Sequence, residues 1–359
     1  MAPVEVAWLA CDLRTGRIAE ELPAIAATGP LSRRIGSVTN VPLRLDLGGA
    51  PAEWEAATDP ARTLLVAVDT RTAVPQWSGI PLPRVGGSAA AVIFTAASAE
   101  SYLDRRYGAY TGTGVDRSAV MAGVAAPLLT QGPPFVIDAV NTGNLMDYSV
   151  ADEDDKTVAA LLTELDGMDG APEWTVDTVW ADAAQTRVQL VLRIRPALGT
   201  PTMPTTVWDM PGCVTSYSLT ESYERGRGAT RVIARGDSQG GGRASSDVHT
   251  ADDLLAAGWC LWEHRYSPGA GITDEAQLDA HAAQSLALMR AGSRAWTVTA
   301  AASAAPRLGV DWGLGDALTL DVEAGTSPRH PDGVTVTARA WGWELDPGAD
   351  RISPILLED

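Results

Sequence analysis

From Val41 to Leu47 apolar residues alternate with polar or small ones, with Val41, Leu43, Leu45 and Leu47 on one side. That period of two predicts a half-buried β-strand. Leu64-Leu65-Val66-Ala67-Val68 is a short continuous apolar run and predicts a buried strand. Val74–Ile80 and Ala89–Thr95 predict further strands, and Gly48-Gly49 and Gly86-Gly87 mark turns. Short strands repeated between turn signals predict a barrel or sandwich over residues 1–107. Ser98 is placed to cap a short helix running through Arg106.

The pattern changes over residues 108–200. Asp116 predicts the start of a helix running to about Leu129, stopped by Gly132-Pro133-Pro134, and Phe135-Val136-Ile137 predicts a short strand. Val158, Leu161, Leu162 and Leu165 fall on one stripe of a helix over 153–166. Asp152–Asp155 would crowd its N-terminus, where the helix dipole favours anions, and Gly167 would supply the left-handed stop. Strands follow at 174–180 and 187–195, the second with Val188, Leu190, Leu192 and Ile194 on one face. The expected unit is a helix laid on a small antiparallel sheet.

Pro196–Pro204 reads as a linker. Strands resume at Val214–Tyr223 and Ala229–Arg235, and the Gly- and Ser-rich stretch 236–247 reads as a flexible loop. Helices are expected near 251–257 and over 274–290. The second has Thr273 as N-cap, Asp274 and Glu275 in its first turn, Arg290 in its last and Gly292 beyond. Its core face is Leu278, Ala282, Leu286 and Met289. Ala295–Ala301, Ala317–Val322 and Val334–Leu345 predict the last strands. The fold class expected is α+β and β-rich: a β domain over 1–107, a small α+β domain over 108–200, a second β domain from 201–248 and 293–359, and a helical insertion at 249–292.

Composition narrows the function classes. The chain has 359 residues, 45% of them hydrophobic, enough for several buried cores. No apolar run reaches the ~20 residues of a membrane helix. Met1–Leu13 carries Glu5 and Asp12 and no basic segment, so no signal peptide is expected. Cys11, Cys213 and Cys260 are far apart and odd in number, which argues against a disulfide framework and a CxxC-type zinc site. With 27 basic and 45 acidic residues the net charge is −18, and the basic footprint of a nucleic-acid binder is absent at the whole-chain level. Ten acids lie between Val150 and Asp182 with Lys156 as the only base. They form a solvated face or a repulsive or docking surface.

Candidate chemistry is sparse. His249, His264, His281 and His330 are scattered and form neither HxxxH nor HExxH. Asp152-Glu153-Asp154-Asp155 lacks the spacing and glycine of a calcium loop. Gly240-Gly241-Gly242 has no following Lys-Ser/Thr, and there is no GxSxG. Cys213 reads as a buried structural thiol. Twelve tryptophans stand beside two phenylalanines; most are expected in cores, while Trp341 and Trp343 share a sheet face that suits packing or binding. No catalytic, cofactor-binding or metal-ligating residue is assigned, and no enzymatic activity is expected.

Several segments carry a family resemblance. They are Thr28-Gly-Pro-Leu-Ser-Arg-Arg-Ile-Gly36, Asp152–Leu162 followed by Pro172–Val176, Pro211–Tyr223, Leu308–Asp316 and the closing Arg351–Asp359. The whole chain resembles minor tail proteins, of the tail-tip or baseplate hub type, from long-tailed bacteriophages of Actinobacteria. The resemblance implies two tail-tube-like β barrels, a small α/β domain and a helical insertion. It implies a homotrimer whose six barrels adapt a sixfold tube to a threefold tip. The implied partners are a distal tail protein, a tape-measure protein and tail fibre or receptor-binding proteins, without specific nucleic-acid binding. The implied location is the tail tip of the virion, after assembly in the host cytoplasm. Any wall-cleaving activity is expected on another chain, since this one ends at Asp359. The rival reading is a carbohydrate-binding or glycan-cleaving β protein acting on the host wall. For a trimer of this acidity, residues 150–182 are expected to point away from subunit contacts. Arg187–Arg195 or Arg225–Arg235 are expected at or near them, the alternative being that both are simply solvated.

Overall fold

The computed structural model describes residues 4–168, 170–239, 242–267 and 275–358. The chain divides into two compact units, one of Met1–Thr163, Pro172–Tyr217 and Thr297–Leu356, the other of Glu164–Ala171, Ser218–Trp296 and Leu357–Asp359.

The first stretch forms β1 (Val6–Asp12), β2 (Ile18–Glu21), β3 (Ile25–Ala27), β4 (Leu31–Arg34), β5 (Asn40–Asp46), helix α1 (Trp54–Ala57), β6 (Thr63–Asp69), β7 (Val74–Val85) and β8 (Ala91–Ser98). Seven of these strands make one sheet in the order β2-β1-β6-β7-β8-β5-β3. β5 buries Val41, Leu43 and Leu45 and exposes the residues between them, as its alternation requires. β6 lies in the sheet interior and is buried along its whole length. Ser98 precedes a 3-10 turn, Ala99–Arg105, but does not cap it. Its hydroxyl instead accepts a hydrogen bond from the Thr39 amide at 3.0 Å.

Next come β9 (Tyr110–Asp116), α2 (Arg117–Val124), β10 (Phe135–Ala139), β11 (Leu145–Val150), α3 (Val158–Asp166), β12 (Glu173–Trp180) and β13 (Val188–Arg195). Asp116 caps α2, accepting from the Ser118 amide at 2.9 Å. The helix stops well before Leu129 and passes into a 3-10 turn, Ala126–Leu129, because Pro127 has no N–H to continue it. Asp152–Asp154 form their own 3-10 turn, closed by Asp155 at φ 51°, so these acids do not sit at the N-terminus of α3. α3 begins later, where the Thr157 hydroxyl accepts from the Ala160 amide at 3.2 Å. Its stripe of Val158, Leu161, Leu162 and Leu165 is buried. The positive φ expected at Gly167 falls on Gly170. The small sheet runs β10-β13-β12 and is mixed, not antiparallel: β12 is antiparallel to β13 but β10 is parallel to it. The long return from Ala139 to Val188 supplies the crossover that a parallel pair needs. β9 and β11 form a separate two-stranded ribbon.

The remaining elements are β14 (Thr206–Met210), β15 (Val214–Ser222), β16 (Arg231–Gln239), β17 (Gly242–Ser245), β18 (His249–Thr250), α4 (Asp252–Ala256), β19 (Glu263–Tyr266), α5 (Glu275–Met289), β20 (Ser293–Ala301), β21 (Ala317–Val322), β22 (Val334–Asp346) and β23 (Arg351–Leu357). β1–β4, β9, β11, β14, β18, β19 and β23 had no counterpart among the strands expected from the hydrophobic pattern. The stretch read as a flexible loop is largely strand: β16 extends to Gln239 and β17 pairs back onto it, for instance Arg235 with Ser245. In the second unit β16 pairs with β17 and β18 antiparallel and with β19 parallel. Val232 and Ala234 of β16 pack with Leu278 and Ala282 of α5, and Leu286 and Met289 join the rim. Thr273 and Asp274 lie outside the described residues.

The second large sheet runs β14-β21-β22-β23-β20-β15, and β4 from the first hundred residues pairs with β22. Counted by position along the chain, this order repeats the path β1-β6-β7-β8-β5-β3 of the first sheet. One difference is direction: β1 is antiparallel to β6, while β14 is parallel to β21. Each order is open at both ends, so neither sheet is a closed barrel among the described residues. Among the described residues, pairing within either sheet does not close the tube-like barrels implied by the resemblance.

Gly16 ties the first sheet to the small one. Its carbonyl accepts from the Val188 amide at 2.8 Å. Its φ is +70°, and a Cβ there would lie 2.0 Å from the Val188 carbonyl oxygen. Gly16→Ala is therefore expected to destabilise the chain by about 2–4 kcal/mol through left-handed strain and overpacking. Urea unfolding monitored by tryptophan fluorescence measures it, and an unchanged midpoint would show that the contact is dispensable.

Candidate functional site

The three sheets of the larger unit meet at a charged joint. On β12 and β13 the ladder places Glu173, Thr175 and Asp177 opposite Arg195, Arg193 and Val191. Trp174, Val176, Leu192 and Ile194, on the other face, are buried. The apolar face fills a core, and the charged face is left to be satisfied by partners from elsewhere in the chain.

Arg33 of β4 supplies the first. Its guanidinium reaches Asp177 at 3.0 Å, the Thr175 hydroxyl at 2.8 Å and the Val176 carbonyl at 2.6 Å. Glu100, in the turn after β8, lies 3.7 Å away and is 4% exposed. Arg193 bridges Asp177 at 2.5 Å and Asp138 at 2.8 Å, and Arg195 also reaches Asp138 at 2.5 Å. A second pair closes the joint: Arg339 of β22 makes a bidentate contact with Glu173, 2.8 Å at each oxygen, with both side chains nearly buried. β7 adds the Ser78 hydroxyl, 2.5 Å from that of Thr178, and the turn before it adds the Ala73 carbonyl, which accepts from Trp180 Nε1 at 2.7 Å.

The acidic groups respond to this setting. Burial alone would raise the Asp177 carboxyl, but the charges and hydrogen bonds of Arg33 and Arg193 hold it below the usual range. Asp138 is also lowered, chiefly by its hydrogen bond from Arg195. Burial works against the charge on Arg33, but Asp177 and Glu100 outweigh it and the guanidinium is held more firmly protonated.

Beside the joint is a cleft of about 360 Å³, walled by Val74–Gln76, the turn at Leu308–Leu314, Leu198-Gly199 and Trp343. The turn, one of the segments that carried the resemblance, is pinned by Gln76 donating to the Leu308 carbonyl at 3.1 Å and by Trp312 packing on Trp208 with ring centroids 5.4 Å apart. Pro196–Pro204 is only partly a free linker: Leu198 is buried, and its amide donates to Glu173 at 2.8 Å. Arg33, Arg193 and Arg195 face Glu100, Asp138 and Asp177, three charges of each sign. The joint neutralises itself and offers no excess charge to an ionic ligand. What this arrangement does is hold sheets in register.

The residues singled out for possible chemistry are dispersed. His330 Nδ1 is 2.6 Å from the Tyr217 hydroxyl, in the larger unit. In the other unit His249 meets Asp279 at 2.7 Å, and His264 and His281 each pack on Tyr266. No group of three or more His, Cys, Asp or Glu residues able to hold a metal ion occurs among the described residues. Burial pushes the Cys213 thiol up to about 11 and that of Cys11 up to about 12, while Cys260 is exposed. Gly240 and Gly241 lie outside the described residues, and Gly242 opens β17. Trp343 is buried and Trp341 half-buried. No described helix is long and apolar enough to cross a membrane.

The acidic segment divides. Asp152–Asp155 are exposed. Glu173, Asp177 and Asp182 instead pair with Arg339, Arg33 and Arg193, and Arg187. Arg193 and Arg195, expected at subunit contacts, neutralise carboxylates of their own chain. Sequence reasoning missed Arg33, Glu100 and Arg339. The signal available was the period-two charge on β12 and β13, which marks a charged face but not its distant partners.

Known proteins share this architecture. A prophage 43 kDa tail protein from Shewanella oneidensis superposes with a TM-score of 0.63 at 12% identity, covering 99% of this chain and 98% of its own. A tail protein from Neisseria meningitidis MC58 gives 0.59 at 12%, with 98% and 97% covered. A prophage tail protein from Listeria monocytogenes EGD-e gives 0.56 at 11%, with 98% and 94% covered. The chain has the fold of prophage tail proteins. No protein-family model and no curated protein matches the sequence.

The joint should be sensitive to acid. Asp177 and Asp138 have depressed values when folded, so their stabilisation is complete above the unfolded value of about 3.9 and is lost as pH falls through the folded values. Asp177→Asn is expected to be less stable than the parent at pH 7, and the two denaturation midpoints should converge as pH falls through the lowered folded value of Asp177. Curves that stay parallel across that range would show that Asp177 contributes nothing through its charge.

Proposed function

We propose that the chain is a structural component of a bacteriophage tail, forming the hub at the tail tip that closes the tube and links it to receptor-binding or fibre proteins. The observation that carries this reading is the single strand order used twice, in two large sheets of one chain. Two tube-like domains per chain would give six in a trimer, which suits a sixfold tube meeting a threefold tip. The likeness to tail proteins over nearly the full length of both chains supports the same reading.

A closed, head-to-tail threefold ring would let the open sheet edges find partners in neighbouring copies, since unpaired edges invite further strand pairing. The partners in this reading are a distal tail protein, a tape-measure protein and fibre or receptor-binding proteins. Assembly takes place in the host cytoplasm and the mature location is the virion. No catalytic step is assigned to the chain.

Light scattering on the purified chain is expected to give a mass near three times 37.6 kDa. Antibodies against it are expected to label one end of the phage tail in electron micrographs. A monomer, together with label along the shaft or none on the virion, would contradict the reading.

A further inference from the structure

The smaller unit carries an aromatic surface for which tail assembly gives no role. Trp259 and Trp262 are 44% and 52% exposed, whereas Trp77, Trp174, Trp208 and Trp296 are fully buried. Both exposed rings lean on Tyr223, with centroids 5.4 and 5.8 Å away and planes inclined at 57° and 70°. Tyr223 in turn lies where two glycines leave room. A Cβ at Gly228 would come within 2.4 Å of its ring and one at Gly292 within 3.0 Å.

The backbone that presents the indoles is fixed. The Trp259 amide donates to the Leu254 carbonyl at 3.0 Å. The hydroxyl of buried Thr230 accepts from the Trp262 amide at 2.8 Å and donates to the Cys260 carbonyl at 3.1 Å. The amides of Thr230 and Arg231 both donate to the Trp262 carbonyl. Half-exposed indoles on an anchored segment are preorganised, so a ligand would lose little to ordering them.

Charge selects the class of ligand. The chain is at −18, yet the charges flanking these aromatics balance, Glu224, Asp252, Asp253 and Glu263 against Arg225, Arg227, Arg231 and Arg290. Asp253 pairs with Arg290, whose carbonyl is 3.5 Å from the Tyr223 hydroxyl, and Glu263 pairs with Arg231. A polyanion would need a cationic excess, and a basic partner an acidic one. An apolar protein partner would have to desolvate these ion pairs. Flat C–H faces edged by hydroxyls suit the site: the faces cover the indoles, and the hydroxyls bond to the carboxylate and guanidinium forks. We propose that Tyr223, Trp259 and Trp262 form a binding site for a neutral glycan, two successive pyranose rings stacking on the two indoles. The inference rests on this unit alone and is independent of the tail reading.

The test is calorimetric titration of the full chain with cellohexaose, maltohexaose, chitohexaose and mannohexaose. Saturable binding of at least one is expected, weakened at least tenfold by Trp259→Ala or Trp262→Ala and less by the Phe variants, which keep a ring. Trp54→Phe, in the other unit, should bind like the parent, and circular dichroism verifies that each variant is folded. Three outcomes would overturn the proposal: no binding of any of the four, binding indifferent to both Ala variants, or no glycan binding with a change in oligomeric mass on removing the indoles. The last would assign the cluster to self-association. The first two outcomes leave the mass of the parent chain and its labelling of the tail untouched, and the third is read from the mass of the variants, not of the parent.

Discussion

Arg33 stands on a four-residue strand with its side chain 15% exposed, and a charge in that position cannot be left unpaired. Removing one partner of such a buried pair typically costs about 3–5 kcal/mol, because the remaining charge keeps its desolvation penalty. Its partners come from different sheets. β4 itself pairs with β22 of the second sheet, Asp177 belongs to the small sheet, and Glu100 follows β8 of the first. Satisfying one guanidinium therefore fixes three sheets in relation to one another. Arg339 and Glu173 repeat the device between the second sheet and the small one. Ion pairs of this kind add less to net stability than apolar packing of the same volume would. What they add here is register: the observed placement of the sheets pairs each of these charges.

Seen this way, the acidity of the chain has two components. Part of it, as at Asp152–Asp155, is exposed surface charge. Part is internal and matched one for one with arginine. Arginine suits these positions because its planar fork bonds two acceptors at once and stays charged when desolvated. A joint that is neutral overall is compatible with a structural component, and it explains why a cleft of about 360 Å³ lies beside charged groups without an excess charge to attract an ionic ligand. The repeated strand order is a separate feature, and on the hub reading it supplies the two tube-like domains.

Much of the framework was legible in the sequence, because it depends on local periodicity. The alternation at Val41, Leu43 and Leu45, the run at Leu64–Val68, the stripe on α3 and the face of α5 all arise within one element. β1–β4, β9, β11, β14, β18, β19 and β23 were not legible, since their short stretches carry no clean period. Nor was the hairpin of β16 and β17, whose glycines and serines resemble a loop until a neighbouring strand pairs with them. The parallel placement of β10 beside β13 is set by a crossover, not by residues in either strand. The joint was half legible: charges at alternate positions of β12 and β13 were visible, but Arg33 is 144 residues from Asp177 and nothing local ties them. The exposed pair Trp259 and Trp262 was likewise hidden, because indoles in a sequence carry no sign of which side of the surface they occupy.

The central claim is that Arg33 and Asp177 act as one unit holding the sheets together. A double-mutant cycle of Arg33→Ala and Asp177→Ala, read by urea unfolding at pH 7, tests it most directly. The account predicts that each single variant loses about 3–5 kcal/mol and that the double variant loses little more than either, since the second change removes a charge already orphaned by the first. Losses that add, with no coupling between the two positions, would contradict it.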